Sequence, residues 1–383
     1  MRIGVPVETT PREKRVALIP ETVKKLAAKK HELVIESGAG RASGALDDDY
    51  IKAGAQIAPS AEALYADADV ILKLQAPSDR ELALLRPQQT LISFVYPLSN
   101  PKLLKSLCAR GVNVLAVDSI PRTTLAQMMD VLSSQATLAG YRAVLLAAEA
   151  SPKLFPMLMT AAGTIAPAKV LVLGAGVAGL QAIATARRLG ATVEAFDVRR
   201  VTKEQVESLG ARFIEVEGAE DAQGAGGYAK EVSEETKKKQ AALLLERASK
   251  VDAVITTALI PGKRAPILVD EAMVRAMRPH TVIVDIAAEQ GGNCALTKPG
   301  ERVTTDGGVI IVGELNLPAQ MAVHASQMWS RNMEKLLLHL VGKEGTDLKL
   351  DATDEITRGV VTIRSGKIVD PRLVPAAKAE VKP

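Results

Sequence analysis

The strongest constraint on this chain is a strand, a glycine turn and a helix in immediate succession. Lys169-Val170-Leu171-Val172-Leu173 is an apolar run rich in β-branched residues, and Gly174-Ala175-Gly176-Val177-Ala178-Gly179 comes after it without a spacer. Leu180 to Leu189 then continues as a helix until Gly190 ends it. Such a junction predicts parallel strands with helical crossovers, because the helix must carry the chain back before the next strand can align. That strand, Thr192 to Phe196, ends at Asp197, eighteen residues beyond Gly179. The three glycines fit a dinucleotide turn: Gly174 permits the bend, Gly176 lets a pyrophosphate approach the backbone, and Gly179 lets helix and strand pack closely. The phosphates would meet free N–H groups at the positive end of the helix.

An acid at 197 suits an adenosine ribose. Its carboxylate accepts from a free 2′-hydroxyl and repels a 2′-phosphate, so the spacing favours NAD(H) over NADP(H). Arg199 and Arg200 stand close enough to accommodate a phosphate, although a solvated turn is their simpler reading.

The same alternation runs through nearly the whole chain. Strands are expected at 3–7, 32–36, 69–74, 90–95 and 112–117, and again at 169–173, 192–196, 213–216, 252–256 and 281–285. Two long helical patterns, about 124–149 and from Pro318 to about Leu340, interrupt them. The expected fold is α/β: two Rossmann-like domains with parallel sheets, joined by these two helices. Residues 1–125 with 320–383 would form the first domain, and 126–319 the nucleotide-binding one. The longest uncharged stretch, between Lys169 and Arg187, is shorter than the roughly 20 residues of a spanning helix and holds three glycines. With no apolar leader after Met1 either, the chain reads as soluble.

Composition narrows the function. Aromatic residues make up 3% of the chain and the net charge is only +4, spread along it, so neither base-stacking platforms nor a basic patch for nucleic acid is expected. Two cysteines, Cys108 and Cys294, exclude a disulfide scaffold and a Cys-based zinc site; no metal site is expected. Cys294 reads as a small buried residue.

Loops at the carboxyl ends of strands are where ligands bind in such sheets. Thr256 to Gly262, including Thr257, Ala258 and Leu259, could pass beneath a nicotinamide ribose, and Asp285 to Asn293 comes after the neighbouring strand. Gly224-Ala225-Gly226-Gly227-Tyr228 reads either as a surface loop or as a glycine-hinged lid that lays a tyrosine on the nucleotide. A proton-moving catalyst is harder to find. His31 precedes a surface strand, His280 sits beside Pro279, and His324 and His339 lie on the last long helix. Lys73 and Arg15 could bind a carboxylate, but solvated charge is the default for both. One reaction class needs no such group, namely hydride passing directly between two nicotinamide rings, where the protein supplies orientation and a water-poor site.

Several stretches carry a family resemblance. Pro121-Arg122-Thr123-Thr124-Leu125-Ala126-Gln127-Met128-Met129-Asp130-Val131-Leu132-Ser133-Ser134-Gln135, Ala139-Gly140-Tyr141-Arg142, Thr160 to Thr164, Gly174 to Gln181, Thr202 to Gly210, Gly226 to Lys230, Thr256 to Lys263 and Gly291 to Cys294 resemble the NAD(H)-binding component of proton-translocating nicotinamide nucleotide transhydrogenases. The likeness runs from Arg2 to about the last helix. It implies that Arg122, Gln127, Asp130 and Ser133 hold the nicotinamide near an NADP(H)-binding partner subunit. It places Val177 and Ala178 in the pyrophosphate turn, Asp197, Val198 and Arg199 at the adenosine ribose, Thr257 to Leu259 along the cofactor, and Gly227 and Tyr228 in a mobile loop. It further implies a homodimer, membrane-spanning subunits that couple hydride transfer to proton movement, and a place on the inner face of the cytoplasmic membrane. With no membrane segment after it, the chain resembles the version in which the leading portion of the alpha subunit is a separate polypeptide. Thr123-Thr124-Leu125 departs from the family's Ile-Ser-Arg and lacks one basic residue there.

Two other readings stand beside it. Alanine dehydrogenase has a similar two-domain architecture, and Arg15 and Lys73 match its carboxylate-binding residues. Its catalytic histidine is expected after Ser93-Phe94, where this chain has Val95-Tyr96-Pro97-Leu98, and Glu289 stands where that family has Asp. A non-catalytic NAD(H)-binding protein would bind nucleotide and transfer no hydride.

Overall fold

The computed structural model describes residues 1–216, 233–260, 262–342, 345–350 and 353–373. The chain divides into two compact units, Met1–Gln135 with Met321–Pro383, and Ala136–Gln320. One boundary falls inside the helix Val131–Ala150 and the other just ahead of the helix Ala322–Val341.

The first unit is built on eight strands, in the order Lys367–Ile368, Val361–Arg364, Asn113–Ala116, Thr90–Ser93, Val70–Leu72, Arg2–Val5, Glu32–Glu36 and Gln56–Ala58. The six from the amino-terminal segment pair in parallel, and the central ones are buried throughout, as expected of strands covered on both faces. Helices start where the sequence supplies caps. Pro20 opens Pro20–Ala28, and Ser78 with Glu81 forms a reciprocal capping box on Asp79–Leu84.

The second unit carries seven strands, in the order Arg212–Phe213, Thr192–Phe196, Lys169–Leu173, Ala253–Thr256, Val282–Asp285, Ile310–Val312 and Arg302–Thr304. After Lys169–Leu173 the chain winds outward to one side, then returns to add Ala253–Thr256 on the other. Leu173 therefore lies beside Thr256 in parallel register. That reversal opens a crevice at the strands' carboxyl ends.

The α/β class and the two-domain plan agree with the expectation, with four differences. Val361–Arg364, Lys367–Ile368 and Arg302–Thr304 are antiparallel edge additions. The strand expected at 213–216 is only Arg212–Phe213. The helical pattern from Thr124 breaks until Val131, since Gln127–Met129 forms a single 3-10 turn and Asp130 caps the helix that starts at Val131. A separate two-stranded hairpin, Leu158–Thr160 with Gly163–Ile165, was not anticipated. Among the described residues no helix is long and apolar enough to cross a membrane.

Candidate functional site

The glycine turn sits at the crevice of the second unit. Gly174 has φ +99°, which a side chain would strain, and a Cβ there would meet Thr257 Oγ1 at 2.5 Å. A Cβ on Gly179 would lie 1.8 Å from the Gly174 carbonyl oxygen. Around Gly176, by contrast, nothing lies within 4 Å of where a Cβ would be. Two glycines are thus required by the protein's own packing, and the third leaves space at the start of helix Val177–Arg188, whose N-cap carries no side-chain hydrogen bond. Free amides beside open space form an anion-compatible cradle. The residues present therefore fit a dinucleotide pyrophosphate.

Asp197 is buried and already well partnered. Its carboxylate accepts from the Ala175 amide at 2.7 Å, from the Arg199 amide at 2.9 Å, and from the forked Arg199 guanidinium at 2.7 and 2.9 Å. Hydrogen bonding to Asp197 raises the Arg199 pKa, so this arginine is held to the acid and does not occupy a solvated turn. Arg200 points toward Glu215 at 3.8 Å and is the more exposed of the two. Phe196, Val198, Phe213, Val216 and Gln240 line a small pocket beside Asp197.

The loop after Ala253–Thr256 is locked to the glycine turn and to its neighbour. Thr257 donates through its amide to the Leu173 carbonyl at 2.9 Å and through its hydroxyl to the Gly174 carbonyl at 3.1 Å. Asn293, wholly buried, grips Ala258 from both sides, accepting from its amide and donating to its carbonyl, each at 2.9 Å. Asn293 is in turn held by Asp285, whose buried carboxylate also accepts from Thr256, Ala287, Cys294 and Thr297. Asp285 and Asn293 are supports that sequence reasoning noticed only as a strand-end segment. Leu259 is exposed beyond them. Cys294 is buried as expected. Gly227 and Tyr228, with the rest of the expected lid, lie outside the described residues.

In the first unit, Arg122, Gln127, Asp130 and Ser133 share one loop-to-helix junction. Arg122 and Gln127 are exposed, whereas Ala126 and Met129 anchor the loop in the core. Asp130 accepts from the Ser133 amide at 2.9 Å and its hydroxyl at 2.6 Å, a helix cap that holds both residues in place.

Arg15 and Lys73, expected to be solvated, are 3% and 0% exposed. Arg15 forks onto Glu13 and donates to Gln135 at 2.8 Å; Lys73 donates to Glu81 at 2.5 Å and lies 3.7 Å from Glu8. Burial raises the Glu8 carboxyl to about 7, against the lowering effect of Lys73 and the Leu74 amide. Burial would also raise Glu81, but Lys73 and Ser78 outweigh it and leave its pKa below the ordinary value. Arg15 meets its acid two residues away, whereas Lys73 is flanked by Glu81 and Glu8 from separate segments. His31 is likewise buried rather than superficial, and both ring nitrogens lack a hydrogen-bond partner among the described residues. His280 and His324 are exposed, and His339 bonds Asp354 at 2.9 Å. A groove of about 570 Å³ between Ile19–Lys24 and Ser43–Ala53 contains none of the expected site residues.

Comparison with known proteins places this arrangement. A family model for the alanine dehydrogenase/PNT N-terminal domain matches residues 4–139, and one for the C-terminal domain matches 143–371. The chain is 47% identical over 380 residues to the Rhodospirillum rubrum protein that forms the first part of NAD(P) transhydrogenase subunit alpha, covering 97% of this chain and 99% of that one. The crystal structure of a transhydrogenase from Sinorhizobium meliloti matches with a TM-score of 0.88 at 43% identity, over 96% of this chain and 100% of its own. An L-alanine dehydrogenase structure matches at 0.81 and 27% identity, over 97% and 98% of the two chains.

Proposed function

Because the chain belongs to the alanine dehydrogenase/PNT family, we propose that it is the NAD(H)-binding subunit of a proton-translocating NAD(P) transhydrogenase. Hydride passes directly between NAD(H) on this chain and NADP(H) on a partner subunit, and membrane-spanning subunits couple the transfer to proton translocation. The observation that carries nucleotide binding is the meeting of the open Gly176 turn, Asp197 and the Thr257-Ala258 backbone at one crevice. The nicotinamide supplies the hydride chemistry when bound. The chain's own work is placement. Amides at Gly176 to Gly179 receive the pyrophosphate, Asp197 with Val198 and Arg199 receives the adenosine ribose, and Thr257 to Leu259 lie along the cofactor. Arg122 and Gln127 orient the nicotinamide, with Asp130 and Ser133 fixing the junction from which they project.

The buried ion pairs support this reading over an alanine dehydrogenase. A 2-oxo acid needs an available cation, yet Arg15 is forked onto Glu13, and Lys73 stands between Glu81 and Glu8. No histidine stands at 95–98 to move the proton.

A homodimer suits the hairpin at 158–165. A lone two-stranded sheet is marginal in water, and this one exposes Met157, Leu158, Met159 and Ile165, with Met159 72% exposed. The same reading places the chain in the cytoplasm, peripheral to the membrane through its partner subunits.

The test recombines the purified chain with membranes stripped of it and offers NADH with an NADP+ analogue, or pyruvate with ammonium and NADH. Nucleotide-to-nucleotide transfer only on recombination is expected. Turnover of pyruvate and ammonium by the chain alone would replace the reading with an alanine dehydrogenase, and saturable NADH binding without transfer would leave a binding protein.

A further inference from the structure

We infer that Asn332 is a positioning residue for the turn that carries Gln127, an inference that rests on the transhydrogenase reading. Gln127 opens the 3-10 turn Gln127–Met129, and its side chain is exposed. The turn's own bonds are short-range: Ala126 N to Thr123 O at 3.1 Å, Met129 N to Ala126 O at 2.8 Å, and Asp130 N to Gln127 O at 3.3 Å. Bonds of this kind hold a turn's shape, and the apolar packing of Ala126 and Met129 that fixes it to the core is not directional. Asn332 Nδ2 supplies a tie of a different kind, donating to the Met128 carbonyl at 2.8 Å from 204 residues away. It projects from the helix Ala322–Val341, which packs Trp329, Met333 and Leu336 in the same core as Ala126 and Met129.

Core packing alone does not explain an asparagine here. Asn332 is 8% exposed, and its Oδ1 is buried with no hydrogen-bond partner among the described residues. An unpaired buried acceptor costs stability, which a leucine of similar shape would not. What the asparagine adds is the bond to Met128, next to Gln127. A displacement of about 1 Å in a group that orients reacting atoms lowers rates by roughly 100-fold, so a tie at this point acts on catalysis more than on folding.

The experiment uses the whole chain with Asn332→Leu, recombined with stripped membranes and assayed with NADH and an NADP+ analogue. The expected result is a kcat lowered about 10- to 100-fold, with NADH affinity within about twofold and melting temperature unchanged or raised. Wild-type kcat in the variant overturns the inference, as does a parallel loss of kcat and NADH affinity. Trp329, the single tryptophan, lies on the same helix and reports by its emission whether the core beneath the turn is intact. Should the leucine variant fail to fold, Asn332→Asp decides. Its protonated carboxyl can still donate to Met128 and its ionised form cannot, so kcat relative to wild type should fall as pH rises while melting stays cooperative. A flat ratio overturns the inference. Failure of the wild-type chain itself to transfer hydride overturns the functional reading and this inference together, whereas equal transfer by both proteins overturns the inference alone.

Discussion

In the first unit Glu8 and Glu81 flank Lys73, and Glu13 holds Arg15. Burial raises the Glu8 carboxyl to about 7, against the pull of Lys73, so Glu8 is the group expected to hold a proton below that pH. A carboxyl whose folded pKa exceeds its ordinary 4.5 favours the fold fully below that value and loses the advantage as pH rises through 7. Glu8→Gln cannot ionise, so its stability relative to wild type should increase between pH 5 and pH 8, by about 1–3 kcal/mol at roughly 1.4 kcal/mol per pKa unit. Chemical denaturation at the two pH values checks this; a constant difference removes Glu8 as the holder. Gly179→Ala belongs to the same scale. Its Cβ would press on the Gly174 carbonyl at 1.8 Å, so the turn must open. A loss of about 1–3 kcal/mol is expected, with NADH binding lost by titration calorimetry. Normal binding would show that the turn is not a nucleotide site. Lys73 teaches the complementary lesson: a lone Lys in a sequence reads as solvated, since nothing local announces that Glu8 and Glu81 will flank it.

At the scale of elements, the junction of the 122–130 loop with the helix from Val131 separates two roles that the sequence merges. Gln127 is exposed, while Asp130 is spent on the helix cap. Gln127→Ala should therefore lower hydride transfer at unchanged melting temperature. Asp130→Ala should lower transfer and also cost about 1 kcal/mol of stability through the lost cap. Equal thermal losses in both would merge the roles again. A second element-scale device is the Asp285 hub, which fixes Asn293 and through it the Ala258 backbone. The helical period continuing back to Thr124 hid the first of these, because Ala126 and Met129 are apolar at helical spacing yet are buried by a 3-10 turn and a bend. Long-range hydrogen bonds hid the second.

At the scale of the whole molecule, the hairpin at 158–165 is the element that neither sheet includes. On the proposed homodimer reading, replacing its strands with a short Gly-Ser link should leave a monomer by analytical ultracentrifugation, with nucleotide binding by the second unit retained. A dimer that persists would move the interface elsewhere.

The α/β class, the alternation of strands and helices and the glycine turn with its acid are legible in the sequence, because each depends on near neighbours: period-2 and period-3.6 patterning, a turn that only glycine makes, and a fixed count of residues from turn to acid. Only the tertiary structure decided that Arg199 is held by Asp197, that Lys73 and Arg15 are buried in carboxylates, that Asn293 clamps Ala258 and that Asn332 reaches Met128. Arg199 and Arg15 each meet an acid two residues away and Lys73 meets Glu81 eight residues away, whereas Asn293 and Ala258 are 35 residues apart and Asn332 and Met128 are 204 apart. What each polar group does depends on which donor or acceptor folding brings within about 3 Å of it.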